Sequence, residues 1–196
     1  MHVTKWKRRA TAMHAALAAI LTLSACSGNS ATEGDSAATP SDETLAALVA
    51  GAEDLSVVSA TLKDAGLAQV LDGVAAYTLL APRDAAFASL GDAGNALRSP
   101  EQRPAMAAVL RDHIVPGYLT PADIAKAIEL DDDGKVEMKT TAGHTLTFAK
   151  ADGAITATGG DGTTVRFAGD ALLASNGVAI PVDGLAVDVA GNAKPQ

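Results

Sequence analysis

The sequence predicts an α+β domain over residues 42–187, with helices first and an antiparallel sheet after them. Three observations predict it. Up to about residue 130 the apolar residues recur at spacings of three and four, as on one face of a helix. From Lys135 to Val189 the chain changes to short alternating runs broken by glycine, and helices followed by strands mark an α+β layout. Residues 27–41 hold no large apolar residue and residues 1–25 read as a leader, so the domain begins after them.

The leader comes first. Lys5, Lys7, Arg8 and Arg9 precede an apolar run from Ala10 to Leu23, which closes on Leu23-Ser24-Ala25-Cys26. A charged start, a short apolar stretch and small residues at a cleavage site describe a secretory signal over residues 1–25. The run is shorter than the roughly 20 apolar residues that cross a bilayer core. Cys26 is the single cysteine of the chain. Leu-Ser-Ala-Cys resembles the lipobox of bacterial lipoproteins. That resemblance implies alkylation of the Cys26 thiol with diacylglycerol, cleavage before Cys26, and a membrane anchor on the extracytoplasmic face. Two acyl chains hold stably, because each buried CH2 contributes about 0.8 kcal/mol and one chain is marginal. An ordinary signal ending in a cysteine, or an uncleaved anchor, are the other readings. Residues 26–41 are rich in Ser, Thr, Ala and Gly and read as a flexible tether with a reach of about 20 Å.

Ser41 or Asp42 is placed to cap a first helix carrying Leu45, Leu48 and Val49. A second helix starts near Asp54, carries Leu55, Val58 and Leu62, and stops at Gly66. Tyr77–Ala81 is a short strand stopped by Pro82. Asp84–Leu90 is one or two helical turns, with the Asp84 carboxylate placed to cap them. Ser99 with Pro100 opens a longer helix through about Asp112, bearing Met106, Val109 and Leu110. Thr120 with Pro121 opens another through Ile124 and Ile128. The expected strands are Val136–Lys139, Thr145–Ala149, Ala154–Thr158, Thr163–Ala168 and Val178–Val182. Gly143-His144, Asp152-Gly153, Asp161-Gly162 and Asn176-Gly177 lie between or beside them, and Asp-Gly and Asn-Gly accept the positive φ of hairpin turns. Residues 188–196 read as a tail.

Charge narrows the partners. The first 25 residues hold four of the 15 Lys/Arg and none of the 23 Asp/Glu, which leaves 11 bases against 23 acids, a net charge of −12. Nucleic-acid binding rests on Lys/Arg neutralising phosphates, so no nucleic acid is expected. The same charge argues against a polybasic attachment to anionic lipid. With one cysteine there is no internal disulfide, and stability rests on an aromatic-poor core of Ala, Val, Leu and Ile.

Three stretches together resemble the fasciclin (FAS1) domain over about Asp42–Val187. Tyr77-Thr78-Leu79-Leu80-Ala81-Pro82-Arg83-Asp84-Ala85-Ala86-Phe87 is similar to the family's first block, Tyr-Thr-Val-Phe-Ala-Pro-Thr-Asp-Ala-Ala-Phe. Val109-Leu110-Arg111-Asp112-His113-Ile114-Val115-Pro116-Gly117 is similar to the second, Leu-Leu-x-Tyr-His-Val-Val-x-Gly. Ser175-Asn176-Gly177-Val178-Ala179-Ile180-Pro181-Val182-Asp183-Gly184 is similar to the closing Asn-Gly-Val-Ile-His-x-Ile-Asp. The resemblance implies the FAS1 fold, an antiparallel β wedge with a helical cap. Asp112 stands where the family often has Tyr before His, the pair tied to adhesion in animal members. Pro181 stands where the family often has His, and a residue without a backbone donor suggests a sheet edge or a strand end.

Phe87, one of three Phe, is expected in the core. His113 has two principal readings. Its ring hydrogen-bonds to backbone and locks its helix to the following strand, or it belongs to a partner surface; catalysis is a third. Glu129, Asp131, Asp133 and Gly134 match positions 1, 3, 5 and 6 of a calcium loop, but Thr140 holds the place of the closing Glu, so a solvated acidic turn is expected. His113 and His144 are the histidines beyond the leader, and no zinc spacing, nucleophile elbow or phosphate loop accompanies them. No enzyme, metal or cofactor is expected. The leading reading is a membrane-anchored surface module for adhesion or protein–protein binding, with an extracellular or cell-surface protein as partner. The alternative is a small-ligand or lipid carrier.

Overall fold

The computed structural model describes residues 39–189. The leader, Cys26 and most of the tether and tail lie outside them.

Six helices come early: α1 (Leu45–Gly51), α2 (Ser56–Asp64), α3 (Leu67–Leu71), α4 (Asp84–Ser89), α5 (Asp92–Leu97) and α6 (Arg103–Asp112). β1 (Tyr77–Pro82) falls among them, and β2 (Ile114–Pro116) and α7 (Pro121–Leu130) follow. The remaining strands are β3 (Lys135–Lys139), β4 (Thr145–Ala151), β5 (Ala154–Thr158), β6 (Thr164–Arg166), β7 (Leu172–Leu173) and β8 (Gly177–Val182). Local signals account for several boundaries. Thr120 and Asp123 form a reciprocal capping box on α7, with Pro121 at the first helical position. Ser99-Pro100 opens a single 3-10 turn, and the α-helix proper begins at Arg103. Thr44, not Ser41 or Asp42, caps α1, through its Oγ1 on the Ala47 N–H. Ser41 is already tied in, donating its N–H to the Leu173 carbonyl at 2.8 Å.

The strands form two four-stranded sheets. One has the order β3-β4-β5-β6 and is antiparallel throughout. Its turns use the expected residues: Asp152 (φ 50°) and Gly153 (φ 79°) join β4 to β5. The other has the order β2-β1-β8-β7. Its outer pairs are antiparallel, but β1 and β8 run parallel in a register from Tyr77↔Gly177 to Pro82↔Val182. The expected α+β layout stands, but the wedge expected to be antiparallel carries one parallel pair at the centre of this sheet.

That pair separates two cores. Leu79, Ala81 and Ala179 face the helices, packing with Leu45, Leu62, Phe87 and Leu110. Leu80, Val178, Ile180 and Val182 face the second sheet, packing with Leu146, Phe148 and Val165 and with Ile124 and Ile128 of α7. Both faces of β1 and β8 are therefore covered, which is why they read as continuous apolar runs rather than alternation.

Two turn and edge expectations change. Pro181 is not on an edge strand, since β8 lies between β1 and β7, but it is the next-to-last residue of β8, so of the two readings the strand end holds. Its carbonyl accepts the Ala168 N–H, so its nitrogen faces the same side, past the end of the two-residue β7, where no ladder donor is required. Gly177 is not a left-handed turn residue but the first residue of β8. A Cβ there would stand 2.5 Å from the Tyr77 carbonyl oxygen, so glycine is required by close approach.

Candidate functional site

The second motif block ends on two residues with opposite surroundings. α6 is amphipathic, with Met106, Val109 and Leu110 buried, and its apolar face fixes the rotation of its last turn. Asp112 is the last helical residue and His113 follows as its C-cap (φ −98°, ψ 0°).

His113 is fully buried. Its Nε2 accepts the Ala186 N–H at 2.9 Å, and its Nδ1 lies 2.7 Å from the Val109 carbonyl. An amide can only donate, so the ring is the neutral tautomer with its proton on Nδ1. Burial holds its pKa below the ordinary histidine value, against the opposing pull of the Val109 carbonyl and the Asp112 charge. The ring thus ties α6 to the segment after β8, not to the following strand β2. It presents no surface to a partner.

Asp112 turns the other way. Its Oδ1 accepts from His144 Nδ1 at 2.6 Å and from the Thr140 hydroxyl at 3.3 Å. His144 rides the β3–β4 turn, which Gly143 closes at φ 89°. The His144 side chain is 68 % exposed while that of Asp112 is 12 % exposed. With Nδ1 committed to Asp112, His144 keeps Nε2 without a partner among the described residues.

This pair lines a cleft of about 870 Å3. Ala93 and Ala96 of α5 and Ala105 and Ala108 of α6 form one wall, with Val109 and Leu146 also lining it. Gly159, Gly160, Asp161, Val187 and Val189 line the rest. Burial acts to raise the Asp161 pKa, but the N–H groups of Asp188 and Thr163 donate to its carboxylate and hold it below the usual value. Asp188 and Val189, read from sequence as tail, are therefore part of the domain.

The other sequence-derived site residues lie elsewhere. Phe87 is 1 % exposed in the helical core. Asp84 does not cap its own helix: α4 has no side-chain cap. Its carboxylate instead accepts from the Val57 N–H (2.9 Å), the Ser56 N–H (3.3 Å) and the Ser56 hydroxyl, capping α2, whose own N-cap residue Leu55 has no side-chain acceptor. Asp131 closes the acidic turn by accepting from the Asp133 and Lys135 N–H groups, and Glu129 pairs with Lys150. Among the described residues no group of three or more His, Cys, Asp or Glu is placed to hold a metal. No described helix is long and apolar enough to cross a membrane. Cys26 lies outside the described residues.

Sequence reasoning passed over His144, Asp161 and Asn176. Asn176 reads as a turn residue but serves as a clamp. Its Oδ1 accepts the Leu45 N–H, and its Nδ2 donates to the Leu71 and Gly73 carbonyls. Local spacing does not mark their long-range roles: His144 meets Asp112, Asp161 meets Asp188 and Asn176 meets Leu45, each far away in the chain.

A family model described as the fasciclin domain matches residues 53–187, most of the described chain. The chain belongs to the fasciclin domain family. A curated relative, Protein sll1483 of Synechocystis sp., is 34 % identical over 121 residues, which are 61 % of this chain and 62 % of that protein. The FAS1 domain pair of the insect cell adhesion molecule Fasciclin I superposes with a TM-score of 0.65 at 15 % identity, over 74 % of this chain and 51 % of that one. This chain therefore spans less than two thirds of either protein, and at that identity the insect structure speaks for the fold alone. In this fasciclin domain all three motif blocks fall on the β1–β8 pair and its supports: β1 with the Asp84 cap, the His113 joint, and β8 with the Asn176 clamp.

Proposed function

We propose that this protein is a lipid-anchored fasciclin-domain module that binds a protein partner outside the cytoplasmic membrane. The observation that carries this reading is the combination of fasciclin membership with an export leader ending in Leu23-Ser24-Ala25-Cys26. Adhesion, as in the insect molecule that shares the fold, is the use of the surface put to the test. The strongly acidic chain beyond the leader favours a basic partner and an association rate that falls with salt. The test compares the wild-type chain with Cys26→Ser in a bacterial host fed a clickable fatty acid. Label and membrane retention in the wild type, both lost in Cys26→Ser, support the anchor; acylation persisting in the variant overturns it. Surface cross-linking of the same cells then reads the partner. A specific protein adduct that weakens with salt supports binding, and no adduct at any salt overturns it.

A further inference from the structure

We propose that the cleft between α5, α6 and the second sheet is a binding site for a small amphipathic amine, its ammonium held by Asp112 and His144 and its apolar body laid along the alanine wall. This is independent of the anchor and of the protein partner. A volume of about 870 Å3 falls in the range of small-molecule sites, roughly 300–1,000 Å3. One-carbon side chains on α5 and α6 line that space: Ala93, Ala96, Ala105 and Ala108 leave room that larger residues would fill.

The polar end sets the head group. Asp112, whose side chain is 12 % exposed, spends Oδ1 on His144 and Thr140 and keeps Oδ2 without a protein partner among the described residues. His144 keeps Nε2. With the imidazole neutral, Nε2 and the Asp112 Oδ2 are two spare acceptors on one pair, which match the several N–H donors of an ammonium. The ionisable residues that line the cleft are Asp112, His144 and Asp161, with no Lys or Arg among them. Lys139 reaches Thr145 Oγ1 at 3.4 Å from β3 but is not a lining residue. Asp161 is held ionised by the N–H groups of Asp188 and Thr163. An anionic head, such as a fatty-acid carboxylate, would meet two carboxylates with no cation to receive it.

The experiment titrates the full chain with octylamine, octanol and octanoate, three ligands with one tail and cationic, neutral and anionic heads, followed by amide NMR shifts and calorimetry. Saturable octylamine binding is expected, with shifts at Ala105, Ala108 and Gly160 and binding stronger than for either control. His144→Ala and Asp112→Asn each weaken it by about tenfold or more, as expected for losing a charge-assisted hydrogen bond. Ala108→Leu, which fills the cleft, removes it, while Asp132→Asn on the exposed turn leaves it unchanged. Octanoate binding as tightly as octylamine, no saturable site, or equal weakening by Asp132→Asn would each overturn the proposal.

Discussion

At the end of α6 two consecutive residues meet opposite regions of the molecule. His113 enters the interior, where both ring nitrogens are consumed by the Val109 carbonyl and the Ala186 N–H. Asp112 enters the cleft, where one carboxylate oxygen and one imidazole nitrogen of its partner stay uncommitted. Similar groups thus do different work, and spare hydrogen-bonding capacity separates them. A joint is saturated because an unmet buried group costs about 1–3 kcal/mol. A site that binds something keeps acceptors free for it.

The interior side should break hardest. His113→Ala leaves a cavity and orphans the Val109 carbonyl and the Ala186 N–H, for an expected loss of about 4 kcal/mol in chemical denaturation. A loss below about 1 kcal/mol would remove the joint from the account. Asp84→Ala is next. It strips the cap from α2, for about 2 kcal/mol, with hydrogen exchange of Ser56 and Val57 accelerating first. If instead α4 frays first, Asp84 caps its own helix after all.

Acid sharpens the contrast without a mutation. The folded pKa of His113 lies below its unfolded value near 6.5. Above that pH both states are neutral and the joint contributes fully. Below it the unfolded chain takes up a proton that the folded chain refuses, so stability falls by up to about 1.4 kcal/mol per pH unit. This limb lies above the carboxylate range, and His113→Gln should lack it; a variant that keeps the limb would assign it to another group. The smallest effect belongs to the cleft. His144→Ala should change stability by less than about 0.5 kcal/mol, since the side chain is largely exposed. A loss of several kcal/mol would mean that the Asp112–His144 pair is a second structural joint.

What the sequence disclosed follows the range of each interaction. Helix faces, the Thr120-Pro121 helix start and the Asp152-Gly153 turn act within a few residues, and all were legible. The parallel β1–β8 pair was not, because parallel pairing leaves no hairpin signal. The destination of Asp84 was missed because a carboxylate just inside a helix looks like its own cap, and Ser56 lies 28 residues upstream. His144 was hidden for the same reason: its partner is 32 residues away, and a Gly-His turn advertises only the turn. Three motif blocks in order did reveal the family, since they encode one interlocked assembly.

The β1–β8 register has a consequence for the order in which the chain can mature. Tyr77 pairs with Gly177, 100 residues later. Closing a loop of that length costs about 4 kcal/mol in chain entropy. The inner flank of β1 stays unpaired until the chain through Val182 has been synthesised, and the His113 joint waits for Ala186. If the chain is exported as proposed, a polypeptide still threaded through a translocation channel at those last residues cannot complete its central sheet, and release of the C-terminal segment becomes the event that closes the fold.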